Sequence, residues 1–106
     1  MSELPKKFKD FMEEHTAIAT AYEALGTAVH ADGPLDEKTR ALIKLGISTG
    51  AGLEGALHSH ARKAIDAGVT NGEMRHAIIL ALPTIGLPSM MAALSWLEDI
   101  INVNAN

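Results

Sequence analysis

The sequence predicts an all-α protein of about six helices. Three observations carry that expectation. Apolar residues recur at spacings of three and four along most of the chain. Pro and Gly fall at intervals that suit short connections between helices. No stretch alternates apolar and polar residues convincingly enough to read as a strand. Apolar residues make up 47% of the 106 positions and aromatics only 4%, so Ala, Leu and Ile supply the bulk. That composition suits close-packed helices. The length corresponds to one domain over residues 1–106 with a modest core, for which a second subunit is a natural cover.

The elements follow in order. Pro5 suits the first turn of a helix to about Glu14, with Phe8, Phe11 and Met12 at helical spacing. A second helix runs from about Thr16 to Ala31 on the stripe Ile18, Tyr22, Leu25 and Val29, and Asp32-Gly33-Pro34 stops it. Asp36 caps a third helix, where Asp36, Arg40 and Lys44 form a solvent-facing charge ladder opposite Leu42, Ile43, Gly46 and Ile47. After a break at Gly50 and Gly52, a fourth helix places Leu53, Ala56, Leu57, His60, Ala61 and Ala64 on its apolar side. Gly68 sits where its C-terminal cap belongs. Thr70 and Glu73 have capping-box spacing, and Val69 and Met74 that of a hydrophobic staple, so the fifth helix begins at Asn71. Pro83 is expected to end it. The last helix runs from about Leu87 to Val103 and is apolar on two sides, which calls for two partners: the domain core and a neighbouring subunit, or full burial within the monomer. Asn102 to Asn106 is expected to fray.

The net charge of −4 and the lack of a basic stripe argue against nucleic acid as a partner. No apolar run approaches the length of a membrane span, and the charged N-terminal residues lack the apolar segment of a signal peptide. A cytoplasmic location is the default expectation. The chain has no cysteine, which removes disulfides, zinc–thiolate sites and a cysteine nucleophile. There is no phosphate-binding glycine loop and no serine nucleophile elbow. No cofactor is expected.

The candidate chemistry lies in the fourth helix. His60 interrupts an apolar stripe, so it is either a core histidine with one hydrogen bond or a general acid/base, because modest environmental shifts move an imidazole pKa across neutrality. His58 lies about 200° around the helix from His60, so the pair cannot chelate one metal, and no metal site is expected. His58 instead shares the polar face with Glu54 and Arg62, one turn away on either side. His76 is off the main stripe of its helix and faces a crevice or an interface. His15 and His30 lie near helix ends, and a His30–His60–His76 metal cluster has no spacing rule behind it.

Residues 35–94 resemble the carboxymuconolactone decarboxylase family, which includes the alkyl hydroperoxidase D-like proteins. The resemblance rests on Leu35 to Ile43, on His60 with Ala64 and Gly68, on Val69 to Met74, and on Gly86-Leu87-Pro88. It implies an all-helical fold that assembles into dimers, trimers or hexamers. Its redox branch carries a Cys-x-x-Cys pair where this chain has Leu53 and Ala56, and a glutamate where it has Ala41. Thiol peroxidase chemistry therefore lacks its nucleophile here. The decarboxylase branch often has a glutamate at the position of Ala56. What is left is His60, with an apolar pocket of Leu53, Ala56, Leu57 and His76 expected around it. The reading is a cofactor-free homo-oligomer that binds a small organic molecule, with His60 as acid/base in lyase- or isomerase-like proton transfer. The alternative is a non-catalytic oligomeric structural or interaction protein.

Overall fold

Local signals set most of the helix boundaries in the computed structural model, which describes residues 5–105. Among these there are seven helices and no strand: α1 (Lys6–Glu14), α2 (Thr16–Ala31), α3 (Glu37–Ala51), α4 (Glu54–Asp66), α5 (Asn71–Ile79), α6 (Leu82–Ile85) and α7 (Leu87–Ala105). The all-α expectation holds. The contacts divide the chain into two compact units, α1 with α2 and α3 through α7.

Several starts and stops have a clear physical cause. The Asp36 carboxylate accepts the Thr39 N–H at 2.8 Å and opens α3. Gly52, at φ 68°, closes α3 in the left-handed conformation, and the Leu53 N–H reaches back to the Ser48 carbonyl at 3.1 Å. Gly68, at φ 89°, does the same for α4, with its N–H on the Ile65 carbonyl at 3.0 Å and the Val69 N–H on the Ala64 carbonyl at 2.9 Å. The capping box of α5 is complete. Thr70 Oγ1 accepts the Glu73 N–H at 3.0 Å, and Glu73 Oε1 accepts the Thr70 N–H at 2.8 Å. Val69 and Met74 are both buried, as a staple requires.

Two boundaries differ from expectation. The fifth helix stops at Ile79, and Pro83 lies inside the single turn of α6. Proline lacks an N–H, and the first turn of a helix does not need one, so Pro83 starts a new turn where termination was expected. At the other end, the α7 backbone stays helical through Ala105, where fraying from Asn102 was expected. The Val103 side chain and Asn106 lie outside the described residues.

In the second unit α3, α4, α5 and α7 pack around one core, with α4 touching both α3 and α7, and α5 touching the same two. Its buried members are Leu45, Leu57, Ala61, Ala64, Val69, Met74, Ile78, Met90, Ala93, Leu97, Ile100 and Ile101. Arg75 of α5 donates from Nε and Nη2 to the two carboxylate oxygens of Glu98 on α7, at 3.0 and 3.1 Å. The buried line of α3 is Leu45, Ser48 and Thr49, whereas Ile43 and Ile47 are exposed. The two hydroxyls can be buried because each donates to a carbonyl one turn back, Lys44 and Leu45 respectively, both at 2.9 Å. Arg40 and Lys44, expected in solvent, are half-buried. In the first unit the α2 stripe of Ile18, Tyr22, Leu25 and Val29 is exposed.

Candidate functional site

Helix α4 presents three surfaces. Leu57, Ala61 and Ala64 form its sealed edge, each with no exposed area. His60 lies on one flank of that edge together with half-buried Ala56, exposed Lys63 and, at the N-cap, exposed Leu53. His58 lies on the other flank, about 200° from His60. The tight turn at Gly52 folds α3 back along α4, so the two helices form an antiparallel hairpin.

Lys63 stands three positions after His60, on the same side of α4. Burial, and then the positive charges of Lys63 and Arg40, push the Lys44 ammonium below the ordinary lysine value. The charges of Arg40 and Lys63 thus reach half-buried Lys44 of α3. His60 is itself engaged in an interaction, so it is held and does not hang free.

A separate groove of about 620 Å³ runs between α3 and the α5–α6 segment. Leu42, Ile43, Gly46, Thr49, Gly50, Ala77, Leu80, Ala81, Thr84 and Ile85 make most of its wall, with Glu73 and His76 as its ionisable groups. Glu73 is committed to the capping box, where the Thr70 N–H, ahead of the Lys38 charge, holds its carboxyl below the usual value. Thr49 and Thr84 donate their hydroxyls to carbonyls four residues back, to Leu45 within α3 and to Leu80 at the end of α5. His76 is exposed and is the uncommitted ionisable group of the groove. Of the residues expected around one pocket, the groove contains His76. Leu53, Ala56, Leu57 and His60 are not part of its wall.

On the far flank of α4, His58 is half-buried against α7. Its Nε2 lies 3.5 Å from Asp99 Oδ2, is shielded from solvent, and has no hydrogen-bond partner. Glu54, one turn before His58, completes a cluster whose ligand atoms lie within 4.8 Å of one another. The polar-face reading put His58 beside Glu54 but did not include Asp99, which is distant in sequence and is the ion-pair partner of His58 in the structure. The burial of Lys44 was also missed, because its four-residue spacing from Arg40 looked like an ordinary solvated ladder.

The carboxymuconolactone decarboxylase family model matches residues 16–99. A nitrosuccinic acid decarboxylase from Metarhizium robertsii is 38% identical over 79 residues, which is 74% of this chain and 54% of that protein. An uncharacterised protein from Haemophilus influenzae is 33% identical over 63 residues, 59% of this chain and 56% of that one. The chain therefore spans about half the length of the curated relatives it matches. The crystal structure of an apo carboxymuconolactone decarboxylase family protein from Legionella pneumophila superposes with a TM-score of 0.76 at 26% identity, covering 91% of this chain and 86% of that one. With most of its length matched by the family model and its helices matched by a solved relative, this cysteine-free chain belongs to the carboxymuconolactone decarboxylase family.

Proposed function

We propose that this protein binds a small organic acid on the His60 flank of α4 and catalyses loss of carbon dioxide from it, without thiol chemistry. What supports the reading is half-buried Lys44, lowered by burial and by the charges of Lys63 and Arg40, with Lys63 on the same side of α4 as His60. Like charges packed together repel, and a bound dianion relieves the repulsion. The Metarhizium relative is named for nitrosuccinic acid, a dicarboxylic acid with an electron-accepting group on the carbon that loses carbon dioxide. Such a substrate sets out what the site must do. The cations hold the carboxylate that stays. The carboxylate that leaves points into the half-buried part of the flank, beside Ala56 and above the sealed Leu57, where poor solvation favours the neutral product. The bond from that carboxyl carbon to its neighbour breaks, carbon dioxide departs, and the electron pair moves into the acceptor group. His60 then delivers a proton to the carbon.

The reading includes self-assembly, supported by the exposed apolar residues Leu53, Ile47, Leu87 and Met91. The groove at His76 supports a second binding reading, in which its apolar wall and its volume of about 620 Å³ take the ligand.

The test is release of carbon dioxide from nitrosuccinate and related short dicarboxylates by the purified protein. His60→Gln is expected to lower kcat by roughly 100-fold or more, and Lys44→Met to raise KM. Full activity in His60→Gln with loss in His76→Gln would transfer the function to the groove. No turnover by the wild-type protein, with no bound acid seen by native mass spectrometry, would leave the non-catalytic oligomer.

A further inference from the structure

Glu54, His58 and Asp99 occupy the flank of α4 that the proposed reaction does not use. We propose that they form a binding site for a divalent transition-metal ion of the zinc class, bridging α4 to α7. The helix supplies half of the geometry. Glu54 and His58 are four residues apart, so they stand one above the other on a single face. The contact between α4 and α7 supplies the rest by setting Asp99 against His58.

The distances suit a shared ion. Zinc binds imidazole nitrogen and carboxylate oxygen at about 2.0–2.2 Å, and two ligands at neighbouring corners of a tetrahedron are then roughly 3.4 Å apart. His58 Nε2 and Asp99 Oδ2 are 3.5 Å apart. That is long for a hydrogen bond and near the tetrahedral edge. The Glu54 donor belongs to the same group, with all ligand atoms within 4.8 Å. Glu54 and Asp99 are exposed, so their carboxylates can swing inward by a rotamer change.

The second observation is the state of His58 itself. Its Nε2 is closed off from solvent and makes no hydrogen bond, while 23% of the side chain's area is exposed. A shielded polar atom without a partner is costly. A metal ion removes that cost by taking the Nε2 lone pair. The two carboxylates supply the negative charge that a divalent cation neutralises. One nitrogen and two oxygens, without a thiolate, favour zinc and its neighbours over soft ions such as copper(I). Three protein ligands leave a fourth position for water, as in sites that exchange their metal or act on a ligand.

The experiment uses the whole protein, stripped with chelator and titrated with zinc by calorimetry and with cobalt(II) by visible absorption. One ion per chain is expected, with the strong visible band of tetrahedral cobalt, and zinc is expected to raise the thermal midpoint. Asp99→Asn and His58→Gln are each expected to weaken zinc binding by roughly tenfold or more, since even indirect partners of a metal ligand cost that much. His15→Gln, which removes a histidine that is not part of the cluster, is expected to bind as the wild type does. If His58→Gln does not fold, Asp99→Asn and Glu54→Gln decide, because both change exposed side chains. The proposal is overturned if the wild type takes up no zinc, or if Asp99→Asn binds it as tightly as the wild type.

Discussion

Glu73 shows how one side chain ties local sequence to stability. It closes the α5 capping box and lies 3.9 Å from Lys38. Removing the box with Thr70→Ala should cost about 1 kcal/mol in urea unfolding. Three carboxyls are more acidic in the folded protein than in the unfolded chain. Asp36 is lowered by the Thr39 N–H, Glu73 by the Thr70 N–H, and Glu98 by the Arg75 guanidinium. A carboxyl of this kind stabilises the fold fully above its unfolded pKa, and the contribution disappears as pH falls through its folded value. Stability should therefore be level down to about pH 5 and decline below about pH 4, where ordinary carboxylates take up protons. Urea midpoints measured across that range check this, and Glu98→Gln should make the decline shallower. At this scale the caps were legible because each is made within four residues. His58 was only half legible: its Glu54 neighbour follows from helical spacing, whereas Asp99 reaches it only because α7 packs on α4.

The elements are held by their ends as much as by their faces. Gly68 is at φ 89° and Gly52 at φ 68°, conformations that a Cβ makes costly. Gly68→Ala should destabilise the fold by about 1–2 kcal/mol, read as a lower thermal midpoint. The cost is conformational, since nothing lies within 4 Å of an added Cβ. Leu57, with no exposed area, anchors the sealed edge of α4 under the His60 flank. Leu57→Ala should cost roughly 2–5 kcal/mol in urea unfolding, through lost burial and the cavity left behind. The Pro83 misreading belongs to this scale as well. A proline marks a place where a hydrogen bond is missing, and both a helix end and a helix start meet that condition.

The molecule as a whole exposes more large apolar side chains than a solitary chain of this size needs. In the first unit Ile18, Tyr22, Leu25 and Val29 are 54–60% exposed along one stripe. Such a stripe calls for a partner surface, and Leu25→Asp should shift native mass spectra toward fewer subunits if the stripe is an assembly face. Most of the helices, the caps of α3 and α5 and the family resemblance were determined by the sequence alone, because each depends on spacing within a few turns or on order along the chain. Tertiary packing alone decided which faces are covered. It buried Ser48 and Thr49 while leaving Ile43 and Ile47 exposed, brought Lys63 up to Lys44, and set Asp99 against His58. Periodicity identifies a face, but only the neighbouring helix determines what that face meets.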